Sequence, residues 1–201
     1  MITLDIKTIE NKLSKQIARN VVSVGFDVAE AFTGVCVLTT DKEKITIEHT
    51  QVIETTAKDD HFHRADNYIA SLEKFKQILE KFKNRKLLII ERCYYGRNVE
   101  TLIHLAHFGI LTYAILKKEF DTFYYWGATT ARAIICFNQR RQEEKGNLKP
   151  KVISRGKNKG KTKKISCKHL VHDYLKTDFG IVFDSEDISD AWVLAMAGLL
   201  K

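Results

Sequence analysis

Asp27, Glu91, Asp187 and Asp190 are the side chains whose types and settings best suit chemistry. Asp27 follows the apolar run VVSVGF, Glu91 follows KLLII, and Asp187 and Asp190 stand three apart at the head of DISDAWVLAMAGLL. Taken singly, most have an ordinary explanation. Asp27 would end a strand, Asp187 would cap a helix, and Asp190 would sit near a helix N-terminus where a negative charge is favoured. Glu91 resists such a reading, because a carboxylate closing an apolar run is costly if buried without a partner. Brought together, the four would repel one another unless cations filled the gap. Hard oxygen donors around a small space suit Mg²⁺ or Mn²⁺. Two such ions per site, ~3.5–4 Å apart, would clamp a phosphodiester, one activating water and the other stabilising the leaving oxygen.

The elements that must position these acids can be read from hydrophobic periodicity. VVSVGFDVA (21–29) and FTGVCVLTT (32–40) read as strands, and KITIEHTQVI (44–53) alternates like a strand with one wet face. Gly34 and the turn at Asp41 fit an antiparallel meander. Residues 61–83 carry Phe62, Ala65, Ile69, Leu72, Phe75, Leu79 and Phe82 on one helical stripe. KLLIIE (86–91) is apolar throughout, as a strand buried on both faces should be. A helix over 98–119, a fifth strand at 121–126, a short helix near 128–137 and two closing helices near 165–177 and 187–200 complete the order. That order predicts an α/β fold of the ribonuclease H-like kind: a mixed five-stranded sheet, three antiparallel strands then two parallel, flanked by helices. In this topology the first and fourth strands are neighbours, so Asp27 and Glu91 would lie side by side.

The chain of 201 residues has room for one domain, read as a nuclease-sized core with an N-terminal extension 1–20, expected to be helical in part, and an insertion at 138–164. That insertion holds 11 of the 33 Lys/Arg and two of the 25 acids, a local excess of +9 against +8 for the whole chain. It also carries the only proline, Pro150, and lacks apolar periodicity, as a basic loop would. No apolar run of membrane length is evident and the N-terminus lacks the apolar core of a signal peptide, so a cytoplasmic protein without a membrane partner is expected. Cys36, Cys93, Cys136 and Cys167 form no CxxC pair, which points to reduced thiols. His61/His63, His104/His107 and His169/His172 are close pairs, but none has a second pair at zinc-finger spacing.

GFDVAEAFTGVCVL, IIERCYYG and DISDAWVLA resemble the three acidic motifs of the RuvC family of Holliday junction resolvases, and KISCKHLVHDYLK (164–176) is similar to the basic helix before that family's last motif. The resemblance, which would also suit a phage or viral member acting in the host cytoplasm, implies a metal-dependent endonuclease cutting four-way and other branched DNA. It makes Asp27, Glu91, Asp187 and Asp190 the metal-binding acids and Lys164 the active-site lysine. Arg132 falls where the family has another basic residue, and Tyr94 where it has an aromatic that stacks on bases at the junction centre.

The basic loop, with Arg155, Lys157, Lys159, Lys161 and Lys163, would lie along phosphates and gain affinity by counterion release, and Tyr94 and Tyr95 would stack on unpaired bases. Helix 98–119 is apolar nearly all round, so a second copy of the chain is expected to cover what the sheet cannot, unless residues 1–20 do so. An actin-like or sugar-kinase ATPase would need a second copy of the fold, for which 201 residues leave no room. A non-catalytic nucleic-acid-binding module would have no use for all four acids. A related nuclease acting on RNA or duplex DNA is not distinguished by sequence.

Overall fold

The alternation of side chains along Val21–Asp27 (β2) decides where the chemistry sits. Val22, Val24 and Phe26 enter one apolar core, shared with Leu88 and Ile90 of Arg85–Glu91 (β5). The alternate residues Val21, Ser23, Gly25 and Asp27 face the opposite way, as do Leu87, Ile89 and Glu91. β2 and β5 run parallel with Phe26 beside Ile90. Asp27 and Glu91 therefore end adjacent strands on the same face.

The computed structural model describes residues 2–29, 31–55, 60–93, 98–145 and 165–200. Its sheet has six strands, ordered across it as Ile2–Asp5 (β1), Lys44–Glu54 (β4), Phe32–Thr40 (β3), β2, β5 and Thr122–Trp126 (β6). β3 and β4 extend β2 as the expected antiparallel meander, and β6 joins β5 in parallel. The likeness to the ribonuclease H-like layout holds, but the count of five was one short. β1 pairs antiparallel with β4, and Asp5 then caps the helix Ile6–Leu13 (α1) by accepting from the Thr8 N–H at 2.7 Å. A four-residue strand carries too little alternation to be read in advance.

Ile6, Ile9 and Leu13 of α1 join the core on the Asp27 face, with Glu186–Leu199 (α7) at its centre. The other face is covered by His61–Leu79 (α2) and Val99–Leu116 (α3). The described part of the N-terminal extension, residues 2–20, thus packs on the face away from α3 and does not cover it. The stripe expected on α2 holds at Leu72, Phe75 and Leu79, which are buried, but at its start Tyr68 is buried instead and Phe62 is 79% exposed.

α3 is the crossover between parallel strands β5 and β6, with Phe108, Gly109, Thr112 and Leu116 turned to the core. Val99–Glu119 is nonetheless long and apolar enough by length and composition to cross a membrane, contrary to the sequence expectation. Its docking on the sheet accounts for part of that apolarity. The remainder is exposed at Val99, Ile103, Ile110 and Tyr113.

The basic insertion expected from Asn138 begins as a helix, Gln139–Glu144 (α5), following Ala128–Ile134 (α4). α5 is anchored: buried Gln142 donates to Asp173 of Cys167–Tyr174 (α6) at 2.7 Å, and Lys145 pairs with Asp178 at 2.6 Å. Residues 146–164 lie outside the described residues.

α7 rests directly on the strand backbones because glycines leave room. A Cβ on Gly25 would stand 2.0 Å from the Ala191 carbonyl oxygen, and one on Gly34 would stand 2.1 Å from that of Asp187. Gly34 is also the β3 partner of Asp27. Gly34→Ala should therefore lift the start of α7 and lower stability by roughly 1–3 kcal/mol or more, as overpacking of a tight core does. An unchanged urea midpoint would contradict this close approach.

Candidate active site

Three elements converge at the carboxyl ends of β2 and β5. β2 delivers Asp27, which is 3% exposed, and β5 delivers Glu91 beside it. α7 delivers Asp187 and Asp190 on one face of its first turns. Ser185 caps α7 by accepting from the Asp187 N–H at 3.1 Å, so Asp187 is not itself the cap and its carboxylate is turned to other partners. Asp190 is 4% exposed. All four acids singled out in the sequence are therefore gathered at one end of the sheet.

Two cations meet them. Lys168 of α6 donates to Asp187 Oδ1 at 2.6 Å and to Asp27 Oδ2 at 2.8 Å, with Asp190 Oδ2 at 3.8 Å. Arg132 of α4 donates to Asp190 Oδ1 at 2.8 Å and to Cys167 Sγ at 3.3 Å. The guanidinium is thus turned inward onto Asp190. Lys168 was missed in the sequence, where Lys164 drew attention four residues earlier. Lys164 lies outside the described residues, as do Tyr94, Tyr95, Arg155, Lys157, Lys159, Lys161 and Lys163. A signal was present: Lys168 precedes buried Val171 by three and buried Leu175 by seven, which places a lysine on the apolar stripe of its helix.

The electrostatics record the crowding of negative charge. Burial, a hydrogen bond to Asp27 and the charges of Asp27 and Asp190 push the Glu91 carboxyl up to about 10, only partly offset by Arg132. Burial and Asp27 also raise Asp190, against the opposing pull of Arg132 and Lys168. For Lys168 burial works against the charge, but Asp27, Asp187 and Asp190 outweigh it and hold the ammonium above its usual range. A proton on Glu91 and two basic side chains thus balance the cluster.

These donors suit a hard divalent cation. Asp190 Oδ2 is buried and has no hydrogen-bond partner among the described residues, an arrangement that costs free energy unless positive charge compensates it. As the side chains stand, Lys168 lies between the carboxylates, and no three His, Cys, Asp or Glu groups among the described residues close on one point as ligands. Loading a cation there requires the ammonium to move aside and Glu91 to give up its proton.

A mixed sheet of this order, with acids at the ends of two adjacent parallel strands, has the ribonuclease H-like layout. The sequence profile of the family described as crossover junction endodeoxyribonuclease RuvC matches residues 23–153, more than half of the chain, and the chain belongs to that family. No curated protein matches it at a significant level. Among solved structures it resembles Thermus thermophilus RuvC in complex with a Holliday junction substrate, with 13% identity, a TM-score of 0.61, and coverage of 90% of this chain and 98% of that one. T. thermophilus RuvC by itself gives 14% identity and a TM-score of 0.59, again over 90% and 98%. The yeast mitochondrial Holliday junction resolvase Ydc2 gives 13% and 0.52, over 95% of this chain and 82% of that one. At such identities the likeness speaks for the fold.

Proposed function

We propose that this protein is a structure-selective endonuclease that resolves four-way DNA junctions, and related branched DNA, by paired phosphodiester hydrolysis. The observation that carries the reading is the convergence of Asp27, Glu91, Asp187 and Asp190 at the carboxyl ends of β2 and β5. Membership of the RuvC family supports the substrate class. The four acids would hold Mg²⁺ or Mn²⁺, two per site, and the cations would supply an activated water and charge neutralisation at the leaving oxygen.

The chain's own groups have distinct tasks. Arg132 engages one oxygen of Asp190 and leaves the other aimed into the cluster. Glu91 holds a proton that it must release before it can serve as a charged ligand. Lys168, whose side chain is 38% exposed, is free to turn from the acids to a phosphate oxygen and offset the charge that builds there as water attacks. Tyr94 and Tyr95 would stack on bases at the branch point. The lysines and Arg155 of the basic segment would follow the backbone beyond it. We further assign a homodimer built on α3, whose exposed Val99, Ile103, Ile110 and Tyr113 suit a second copy of the chain. A cytoplasmic setting goes with this reading.

Incubation with a synthetic four-way junction in Mg²⁺ tests it. A linear duplex, a fork and an RNA–DNA hybrid of matching sequence serve as alternatives. Preferential cutting of the junction is expected. Preference for the hybrid or the plain duplex would move the protein to a different nuclease type, and binding without cutting in Mg²⁺ or Mn²⁺ would make it a binding module.

A further inference from the structure

On the sheet face opposite the carboxylates, three histidines distant in sequence meet where α2 starts against α3. His61 Nε2 lies 3.1 Å from His107 Nδ1. The His104 ring stacks on His61 with centroids 4.1 Å apart and planes 17° from parallel. His104 and His107 are three apart on α3 and so share a face. These rings stand on rigid supports. Asp60 caps α2 by accepting from the Phe62 and His63 N–H groups at 2.9 and 3.0 Å, which fixes the position of His61. One turn and more along, Tyr68 and Thr112 bind the two helices through a buried hydroxyl pair at 2.7 Å. Phe108 meets both His61 and Tyr68 edge-on and closes the cluster from beneath.

We propose that His61 and His107, with His104 beside them, form a site for a transition-metal dication of the zinc class that ties α2 to α3. Two nitrogens on one tetrahedral ion, at ~2.0–2.1 Å from it, are about 3.3 Å apart. The 3.1 Å between His61 Nε2 and His107 Nδ1 falls within a few tenths of an ångström of that. In the metal-free protein the same pair shares one N–H···N hydrogen bond. As the rings stand the three do not close on one point, so His104 supplies the third ligand only by turning out of its stack, and water completes the shell. The donors are imidazoles alone, which favour zinc, nickel, cobalt and copper over magnesium. The protein would thus sort its cations by ligand softness, hard ions at the carboxylates and a borderline ion at the histidines.

Calorimetric titration of Zn²⁺ in the presence of excess Mg²⁺, which competes for the carboxylates, separates the two sites. One equivalent is expected to bind. His107→Gln and His61→Gln should each weaken it tenfold or more, while Asp190→Asn leaves it intact. His107 is exposed, so its substitution spares the fold, and coincident thermal melts of the metal-free proteins verify this. Zinc affinity within twofold of wild type in His107→Gln, loss of zinc in Asp190→Asn, or no zinc uptake at all would each overturn the site.

Discussion

Changing any one of Asp27, Glu91, Asp187 or Asp190 to its amide should lower Mg²⁺-dependent junction cleavage by roughly a thousandfold or more, about 4 kcal/mol of transition-state stabilisation, while junction binding stays within a few-fold of wild type. Binding survives because each change removes a negative charge that repels phosphate. Folding should survive as well. The amide oxygen of Asp190→Asn still accepts from Arg132, so no buried guanidinium is stranded. Glu91→Gln allows a sharper check without metal. The Glu91 carboxyl is raised from 4.5 to about 10 in the folded chain, so between these values the folded state keeps a proton that the unfolded state releases. Stability of the metal-free protein then falls as pH rises through that window. Glutamine mimics the protonated form, so Glu91→Gln should melt higher than wild type at alkaline pH and show a flatter dependence on pH. Full cleavage by two or more of the amide variants would remove the acids from the chemistry.

Ile103→Glu combined with Ile110→Lys should convert a dimer into monomers of 23.1 kDa and reduce paired cleavage far more than single nicking. A four-way junction has approximate two-fold symmetry, and resolving it takes two opposed cuts that two symmetry-related sites can deliver together. Val99, Ile103, Ala106, Ile110 and Tyr113 recur at alternating spacings of four and three along α3, the pattern of a helix with an apolar seam. Val99 is 55%, Ile103 48%, Ile110 63% and Tyr113 46% exposed. Beside this seam a cavity of about 450 Å³, lined in part by Gly109, Phe123 and Tyr125, lies between α3 and edge strand β6. Burying each such isoleucine is worth about 1.5–3 kcal/mol, so a charge at two positions on both copies is prohibitive. Leu105 and Ile115 are already half-buried and are poorer probes. Wild-type protein that sediments at 23.1 kDa, with or without junction DNA, would end the dimer reading.

Much of this was legible in the sequence because strong local patterns agreed with the fold. The unbroken apolar run before Glu91 marked a strand buried on both faces, and β5 lies inside the sheet between β2 and β6. Parity along β2 and β5, combined with their parallel adjacency, was enough to bring Asp27 to Glu91. What escaped depended on contacts between distant segments. β1 exists because β4 offers an open edge, α5 because Gln142 finds Asp173, and the exposed position of Phe62 because α2 turns Tyr68 toward Thr112. Lys168 was overlooked for a related reason. Its ammonium acquires meaning only where α6 crosses α7, and the lysine-rich sequence before it drew attention to Lys164 instead. The histidine cluster is likewise a product of α2 meeting α3, invisible in spacing along the chain.

Cleavage of a four-way junction with each strand labelled in turn, in Mg²⁺ and beside the linear duplex of the same sequence, tests the central claim most directly. Symmetrically placed cuts in two opposed strands are expected, with the duplex left intact and no cutting in chelator. Equal cutting of junction and duplex, or cleavage that persists without divalent metal, would contradict it.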